Sequence, residues 1–351
     1  MKALGALGIY VESIEKTELA QYAENPVISP LIRVRALIAE VRDLETKFKA
    51  HLRNDDRLHG VYNPGGATSG RLSAKSPNLQ NVRRPPSKID LASDPDITNF
   101  RDLVEAPLGW QIIVADYNQM ELRAAAVFTE EPNMLKVYRE GSGDLHKETA
   151  ARLSDSDFEQ MTDEEKGEAR QKAKAANFGL VYGQQAKGFR NYAANSYGVD
   201  LDYEGAVEMR NKFFNLYPRL AVWHELAMEY SWTFPEYEET LYGRKRWLHP
   251  WSEEVRQNWA AFQNLTNHII QGSCADAFKL ALVGIHKSLD PCEARLIGNV
   301  HDEILVLARD HAVGDTKKII RNVMQTAASV VFGNAINFTA ELKSGKSWAC
   351  K

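Results

Sequence analysis

The sequence predicts an α+β fold, with helices and a few short strands grouped along the chain rather than alternating. Three observations carry that prediction. Helical patterns fill residues 144–232 and 252–287, and another covers Val313–Phe332. Short apolar runs of strand type stand at residues 110–115, 294–300 and 303–307. The composition, 44% apolar and 26% charged over 351 residues, suits a chain that buries a sizeable core.

Taken in order, residues 1–57 read as mostly helical, interrupted by Pro26 and Pro30. An amphipathic stretch at 31–52 carries a basic face of Arg33, Arg35, Arg42, Lys47, Lys49 and Arg53. Residues 60–107 are loop-rich, punctuated by Pro64-Gly65-Gly66, Pro77, Pro85-Pro86 and Pro95. A strand at 110–115 leads into a helix from Met120. Residues 241–248 suit a strand or hairpin. A helix then spans 252–287, and two apolar runs flank His301-Asp302 as strands around a tight reversal. A helix at Val313–Phe332 and a strand at 337–343 close the chain.

Lys and Arg number 43 against 47 Asp and Glu, a net charge of −4. This argues against a polybasic coat, so nucleic-acid binding would have to rest on local basic stripes. No apolar run approaches the roughly twenty residues a membrane span needs. The N-terminal run is broken by Gly5 and Gly8 and followed by Glu12 and Glu15, unlike a secretory signal. Cys274, Cys292 and Cys350 are odd in number and far apart, which points to a reducing intracellular compartment.

Asp116 follows Ile112-Ile113-Val114-Ala115, where a buried strand ends, and Asp302 sits at the reversal between two strands. Carboxylates held at strand ends can share a pair of Mg²⁺ ions roughly 4 Å apart, and oxygen ligands suit that metal. Either residue alone would equally make a turn or cap a helix. Arg170, Lys174, Phe178 and Tyr182 recur every four residues and form one helix stripe about 18 Å long. Thr162 with Glu165 makes a capping-box pattern upstream, and Gly183 suits the position just past the helix end. Cations grip a triphosphate and flat rings stack on a base or sugar; an ordinary amphipathic helix has the same spacing.

Asp116-Tyr-Asn-Gln-Met-Glu121-Leu-Arg123, the Arg170 to Gly183 stripe and Val300-His301-Asp302-Glu303 resemble, in order, the three polymerase motifs of family A DNA polymerases, the bacterial DNA polymerase I and phage replicative group. Ser69-Gly-Arg71-Leu-Ser73, Pro77-Asn78-Leu-Gln80-Asn81 and Asp144-Leu-His146 are similar to further family motifs. So are Thr240-Leu-Tyr-Gly-Arg244-Lys-Arg246, Asn267-His-Ile-Ile-Gln271-Gly272 and the ending Gly345-Lys-Ser-Trp348. The resemblance implies a right-hand polymerase fold with an antiparallel palm sheet, helical fingers and a reduced helical thumb. Residues 1–60 would be the thumb, 61–141 the first part of the palm, 142–240 the fingers and 241–351 the second part of the palm.

The implied activity is template-directed DNA synthesis by two-metal nucleotidyl transfer, with two Mg²⁺ ions. Asp116, Asp302 and the Tyr117 carbonyl would hold the metals, and Lys174 and Glu303 would join the carboxylates in catalysis. Arg170, Lys174, Phe178, Tyr182, His146, Glu121 and Gln119 would contact the nucleotide, with Glu121 as a steric gate against a 2′-hydroxyl. Arg71, Asn78, Gln80, Asn81, Asn267, Gln271, His301 and Arg244 would contact DNA, largely in the minor groove, where readout is degenerate. Gln263 stands where relatives commonly carry Arg. The short stretch before Arg71 implies weak processivity and no proofreading from this chain. The implied partners are primer-template DNA, deoxynucleoside triphosphates and a separate exonuclease or processivity protein, with no membrane. The implied setting is the bacterial cytoplasm, or that of a phage's host. A non-catalytic primer-template binding module and an RNA polymerase are the competing readings; the presence of Asp116, Asp302 and Lys174 disfavours the first and Glu121 the second.

Overall fold

The computed structural model describes residues 2–5, 8–10, 19, 22, 25–83, 98–140, 143–154, 156–233, 236–248 and 260–350. The chain divides into two compact units. The smaller comprises Met1–Tyr62, Ala74–Val82 and Pro86–Thr98. Its main element is helix α1 (Ile28–Asp43), continued by a wide turn at Leu44–Phe48 and a tight one at Lys49–His51. Helical structure thus runs nearly as far as the sequence predicts. Leu4, Ile9, Leu19 and Ile28 form a small core beneath it. Buried Glu40 accepts a hydrogen bond from the Thr98 hydroxyl at 3.0 Å. Val34, Leu37, Ile38 and Val41 are exposed on its outer side. Within the loop-rich stretch lie two three-residue strands, β1 (Val61–Asn63) and β2 (Ser73–Lys75).

The larger unit comprises Asn63–Ser73, Arg83–Pro85 and Asn99–Lys351. Its centre is a four-stranded antiparallel sheet of β3 (Trp110–Tyr117), β6 (Ala294–Val300), β7 (Glu303–Arg309) and β8 (Ala340–Gly345), ordered β6-β7-β3-β8. Alternation splits β3 between two faces. Ile113, Ala115 and Tyr117 join the main core with Ala277, Ala281 and Ile285 of α10 (Ser273–Ser288) and Ile320 and Met324 of α11 (Val313–Phe332). The Tyr117 hydroxyl donates to the Met324 carbonyl at 2.7 Å. Ile112, Val114 and Asp116 take the other face. The β4–β5 hairpin (Tyr237–Glu239, Lys245–Trp247) begins before the predicted 241–248, and β8 begins three residues after the predicted 337. In both cases the strand bounds follow the partner strand's register rather than local apolar content.

The helical part runs from α2 (Met120–Thr129) through α3 (Pro132–Arg139), α4 (Leu145–Leu153), α5 (Asp163–Leu180), α6 (Ala186–Tyr197), α7 (Tyr203–Leu216) and α8 (Pro218–Ser231). The helix predicted for 252–287 is observed as α9 (Ala260–Asn267) and α10, joined by a π-helical turn at His268–Gly272. Residues 251–259 lie outside the described residues. Such π-turns widen the backbone locally and are frequent at functional sites.

Helix α5 starts on the predicted capping box: the Thr162 hydroxyl accepts from Glu165 N at 3.3 Å, and the Glu165 carboxylate accepts from Thr162 N at 2.7 Å. It ends at Leu180, and the turn that follows reaches Gly183, whose N–H donates to Leu180 O and whose φ is +77°. A Cβ there would lie 2.4 Å from Phe262 Cε1. Gly183→Ala is therefore expected to lower stability by roughly 2–4 kcal/mol, from left-handed strain plus overpacking against α9. A urea unfolding curve checks this, and an unshifted midpoint would contradict it.

Candidate active site

Asp116 is the penultimate residue of β3, half-buried, and pairs in register with Glu303 on β7. Asp302 is the chain neighbour of Glu303, in the two-residue turn between β6 and β7. His301 makes that turn with φ +51° and stays exposed. Cross-strand neighbours lie about 5 Å apart and successive Cα atoms about 3.8 Å, so the two aspartate Cα atoms lie within roughly 9 Å. The Asp302 side chain is 30% exposed.

Glu303 is buried, and its carboxylate is taken up elsewhere. Arg101 Nη1 donates to both oxygens at 3.1 Å, Trp348 Nε1 donates at 2.7 Å, and the Arg101 guanidinium stacks 4.5 Å from the Trp348 ring. The predicted catalytic helper therefore holds a buried ion pair on the face that carries Asp116.

A polar chain joins the end of helix α5 to the hairpin carboxylate. Tyr182 lies just past α5 and donates its hydroxyl to Glu121, in the first turn of α2. Arg71 donates to the other Glu121 oxygen and lies 3.5 Å from Asp302. Burial pushes the Tyr182 phenol well above its usual 10, and the Glu121 carboxylate adds to that, so the phenol remains a donor. Burial opposes the Arg71 charge, but the Asp302 and Glu121 carboxylates outweigh it and raise its pKa.

The rest of the stripe faces α4. Asp144 caps α4, accepting from His146 N at 3.1 Å and Lys147 N at 3.4 Å. It also accepts from Arg170 at 2.9 Å and from the Gln119 side-chain amide at 2.9 Å. Gln119 has φ +51°, and its carbonyl oxygen accepts from the Tyr138 hydroxyl and Leu145 N. Gln119, predicted to touch nucleotide, ties the end of β3 to the start of α4 through both ends of its side-chain amide. Lys174 is half-buried, and its charge acts on His146. The Phe178 ring lies 5.3 Å from the His146 ring.

Arg244, predicted to contact DNA, turns inward. Its Nε donates to Asp276 at 2.6 Å and its Nη2 to the carbonyls of Ser69 and Gly272, at 2.9 and 3.2 Å. It thereby fastens the Ser69–Arg71 loop to the start of α10. Arg246 pairs with Glu238 at 2.8 Å. Asn267 and Gln271 are half-buried, at the end of α9 and in the π-helical turn, and Asn267 Oδ1 has no hydrogen-bond partner among the described residues. Asn78, Gln80 and Asn81 belong to the smaller unit, where Asn78 caps a short turn by accepting from Gln80 N at 3.2 Å.

Among the described residues no group of three or more His, Cys, Asp or Glu side chains is gathered as a metal cage. A site of two hard carboxylates fits Mg²⁺, which keeps its waters and takes substrate phosphates as further ligands. Among the same residues, no helix is long and apolar enough to cross a membrane.

Burial pushes the imidazoles of His146, His224 and His268 down to about 4. The unfolded chain binds these protons near pH 6.5, so stability conferred by the neutral rings is present above 6.5 and is lost as pH falls toward 4. Glu238, raised to about 7 mainly by burial, acts in the opposite sense. With three groups against one, the urea midpoint is expected to drop between pH 7 and pH 5, and a midpoint that rises on acidification would contradict the assignment.

Sequence reading missed Arg101 as the partner of Glu303, and Asp144 as the group that joins Gln119, Arg170 and α4. An Asp placed directly before a helical pattern is a capping signal that could have found the second. Nothing local marks Arg101.

The chain matches the sequence model of DNA polymerase family A over residues 9–350. It is 31% identical over 322 residues to DNA polymerase I of Aquifex aeolicus, covering 91% of this chain and 50% of that one. It is also 31% identical to the thermostable DNA polymerase I of Thermus filiformis, covering 83% and 32%. The chain thus spans half of the first relative and about a third of the second. It superposes on the POL domain of Pol1 from M. smegmatis, solved in complex with DNA primer-template and dNTP, with a TM-score of 0.81 at 22% identity. That match covers 99% of this chain and 61% of the other, and shows the shared fold.

Proposed function

Because the chain belongs to DNA polymerase family A, we propose that it extends a primer 3′-hydroxyl on a DNA template with deoxynucleoside triphosphates. The observation that supports this most is the β3–β7 register, which brings Asp116 beside the hairpin that carries Asp302. Mg²⁺ held by these carboxylates and the Tyr117 carbonyl would lower the pKa of the primer hydroxyl and offset charge on the leaving pyrophosphate.

The chain's own side chains do the rest. Arg170 and Lys174 present cations to the triphosphate, and Arg170 exchanges its Asp144 contact for phosphate oxygens. Phe178 packs on the sugar and base. His146 donates to phosphate. Asn267, Gln271, His301 and Arg71 lie along the primer-template, and Asn78, Gln80 and Asn81 are further DNA contacts. Residues 1–60 serve as thumb, 61–141 and 241–351 as palm, and 142–240 as fingers.

Glu121, pinned by the Tyr182 hydroxyl and Arg71, lies under C2′ of the incoming sugar and leaves no room for a hydroxyl. Glu121→Ala is expected to raise ribonucleotide incorporation relative to deoxynucleotide by about 10–100-fold, the range of one well-fitted contact. An unchanged ratio of kcat/KM values would remove Glu121 from that role.

The proposal is tested on four primed templates that differ only in the first templating base. Each is expected to direct incorporation of its complement alone, in the presence of Mg²⁺. Binding of primed DNA without incorporation would instead mark a non-catalytic binding module.

A further inference from the structure

His146 is buried to 5% exposure, and its inner edge is engaged. Its Nδ1 lies 3.0 Å from the side-chain Nδ2 of Asn177 on α5. An amide nitrogen only donates, so Nδ1 accepts. Asn177 Oδ1 lies 3.2 Å from the Thr149 hydroxyl on α4, which lies 2.7 Å from the hydroxyl of Tyr217, at the junction of α7 and α8. Asn177 and Thr149 are fully buried, and Tyr217 nearly so.

The far end of this chain fixes its direction. Burial raises the Tyr217 phenol far above 10, so its proton stays in place. Among the described residues Thr149 is the hydrogen-bond partner of that hydroxyl. If the bonds ran outward from His146, Thr149 would donate to Tyr217 and the phenolic proton would have no acceptor among the described residues, an arrangement folded proteins avoid. Run inward, Tyr217 donates to Thr149, Thr149 to Asn177 Oδ1, and Asn177 Nδ2 to His146 Nδ1. Each hydroxyl proton then has an acceptor, and each bond polarises the next.

The geometry points to Tyr217, Thr149 and Asn177 as a positioning relay that holds His146 as a neutral imidazole with its proton on Nε2, a preset donor for a phosphate oxygen of the incoming nucleotide. The phosphate end rests on the proposed function; the tautomer does not. Asp144, Arg170 and Lys174 act on the same ring, the carboxylate favouring a second proton and the two cations opposing it. A neutral donor presented beside two cations contributes direction rather than charge. Nucleotide affinity would then stay flat across the pH range in which an ordinary histidine titrates.

The test is the ¹⁵N spectrum of histidine-labelled full chain at pH 7, without DNA or nucleotide, with His146→Gln used to assign the ring. The wild-type ring is expected to show a protonated Nε2 and an unprotonated Nδ1. Thr149→Val, close to isosteric, breaks the relay and frees the amide to turn, and Tyr217→Phe removes the proton that forbids inversion. Each is expected to bring in a population with the proton on Nδ1. In single-nucleotide incorporation, Thr149→Val is expected to raise the KM for nucleotide about 2–10-fold through the smaller competent fraction, with kcat little changed. A wild-type ring with its proton on Nδ1, a doubly protonated ring, or variants with the wild-type tautomer would overturn the relay. An altered tautomer with unchanged KM would overturn its phosphate end. Because the spectrum needs no substrate, failure of incorporation would count against the proposed function and leave the relay to be decided by the ring signals.

Discussion

Asp302→Ala is expected to lower primer extension by about 10³-fold or more, while primer-template affinity changes only a few-fold. The size follows from what the carboxylate contributes. Charge stabilisation by a bound divalent ion is worth several kcal/mol in the transition state, and each 1.36 kcal/mol is a factor of ten in rate. Most of the proposed DNA contacts lie elsewhere, so binding should survive. The fold should survive too, because Asp302 sits in a two-residue turn with its side chain 30% exposed. Single-turnover incorporation beside a gel-shift titration makes the comparison. Near-normal turnover in the variant would falsify the assignment of Asp302 as a metal carboxylate.

The second large effect is on stability. Arg101→Ala is expected to cost about 3–5 kcal/mol, the range for stranding one partner of a buried ion pair. The Arg101 and Glu303 side chains are 4% and 6% exposed, and Trp348 is left as the other donor to the carboxylate. Glu303 is then buried without its Arg101 partner on the face it shares with Asp116, so loss of activity should accompany loss of stability. Arg101→Met with Glu303→Leu removes both charges and should recover much of the stability, because the penalty arises from the unpaired charge rather than from absence of the pair. Equal destabilisation by the single and double variants would show that packing, not charge, dominates there.

What was legible in the sequence was what short-range physics controls. The bounds of β6 and α11, the capping box at Thr162 and the reversal at His301-Asp302 all follow from periodicity, caps and turn chemistry within a few residues. The stripe from Arg170 to Phe178 was legible because one helix sets its spacing, and Tyr182 falls just past that helix's end. Partner choice was not. Arg244 reads as a surface cation in Tyr-Gly-Arg-Lys-Arg, and only the approach of the Ser69 carbonyl and Asp276 turns it inward. Glu303 reads as a site carboxylate beside Asp302, and only the arrival of Arg101, 202 positions away, and Trp348 makes it a strut. The break at His268–Gly272 carries no Pro and left no mark in the apolar pattern.

The sheet order also bears on how a nascent chain acquires this fold. Among the described residues strand β3 pairs with β7 and β8, and its Tyr117 hydroxyl reaches Met324, 207 positions downstream. At typical translation speeds, about 5–20 residues per second, the Ile112–Ala115 segment waits roughly 10–40 s after synthesis for its neighbours. Throughout that wait it is an apolar strand with two open edges, a template for pairing with another chain. Any product cut short before β7 would carry the exposed edges indefinitely.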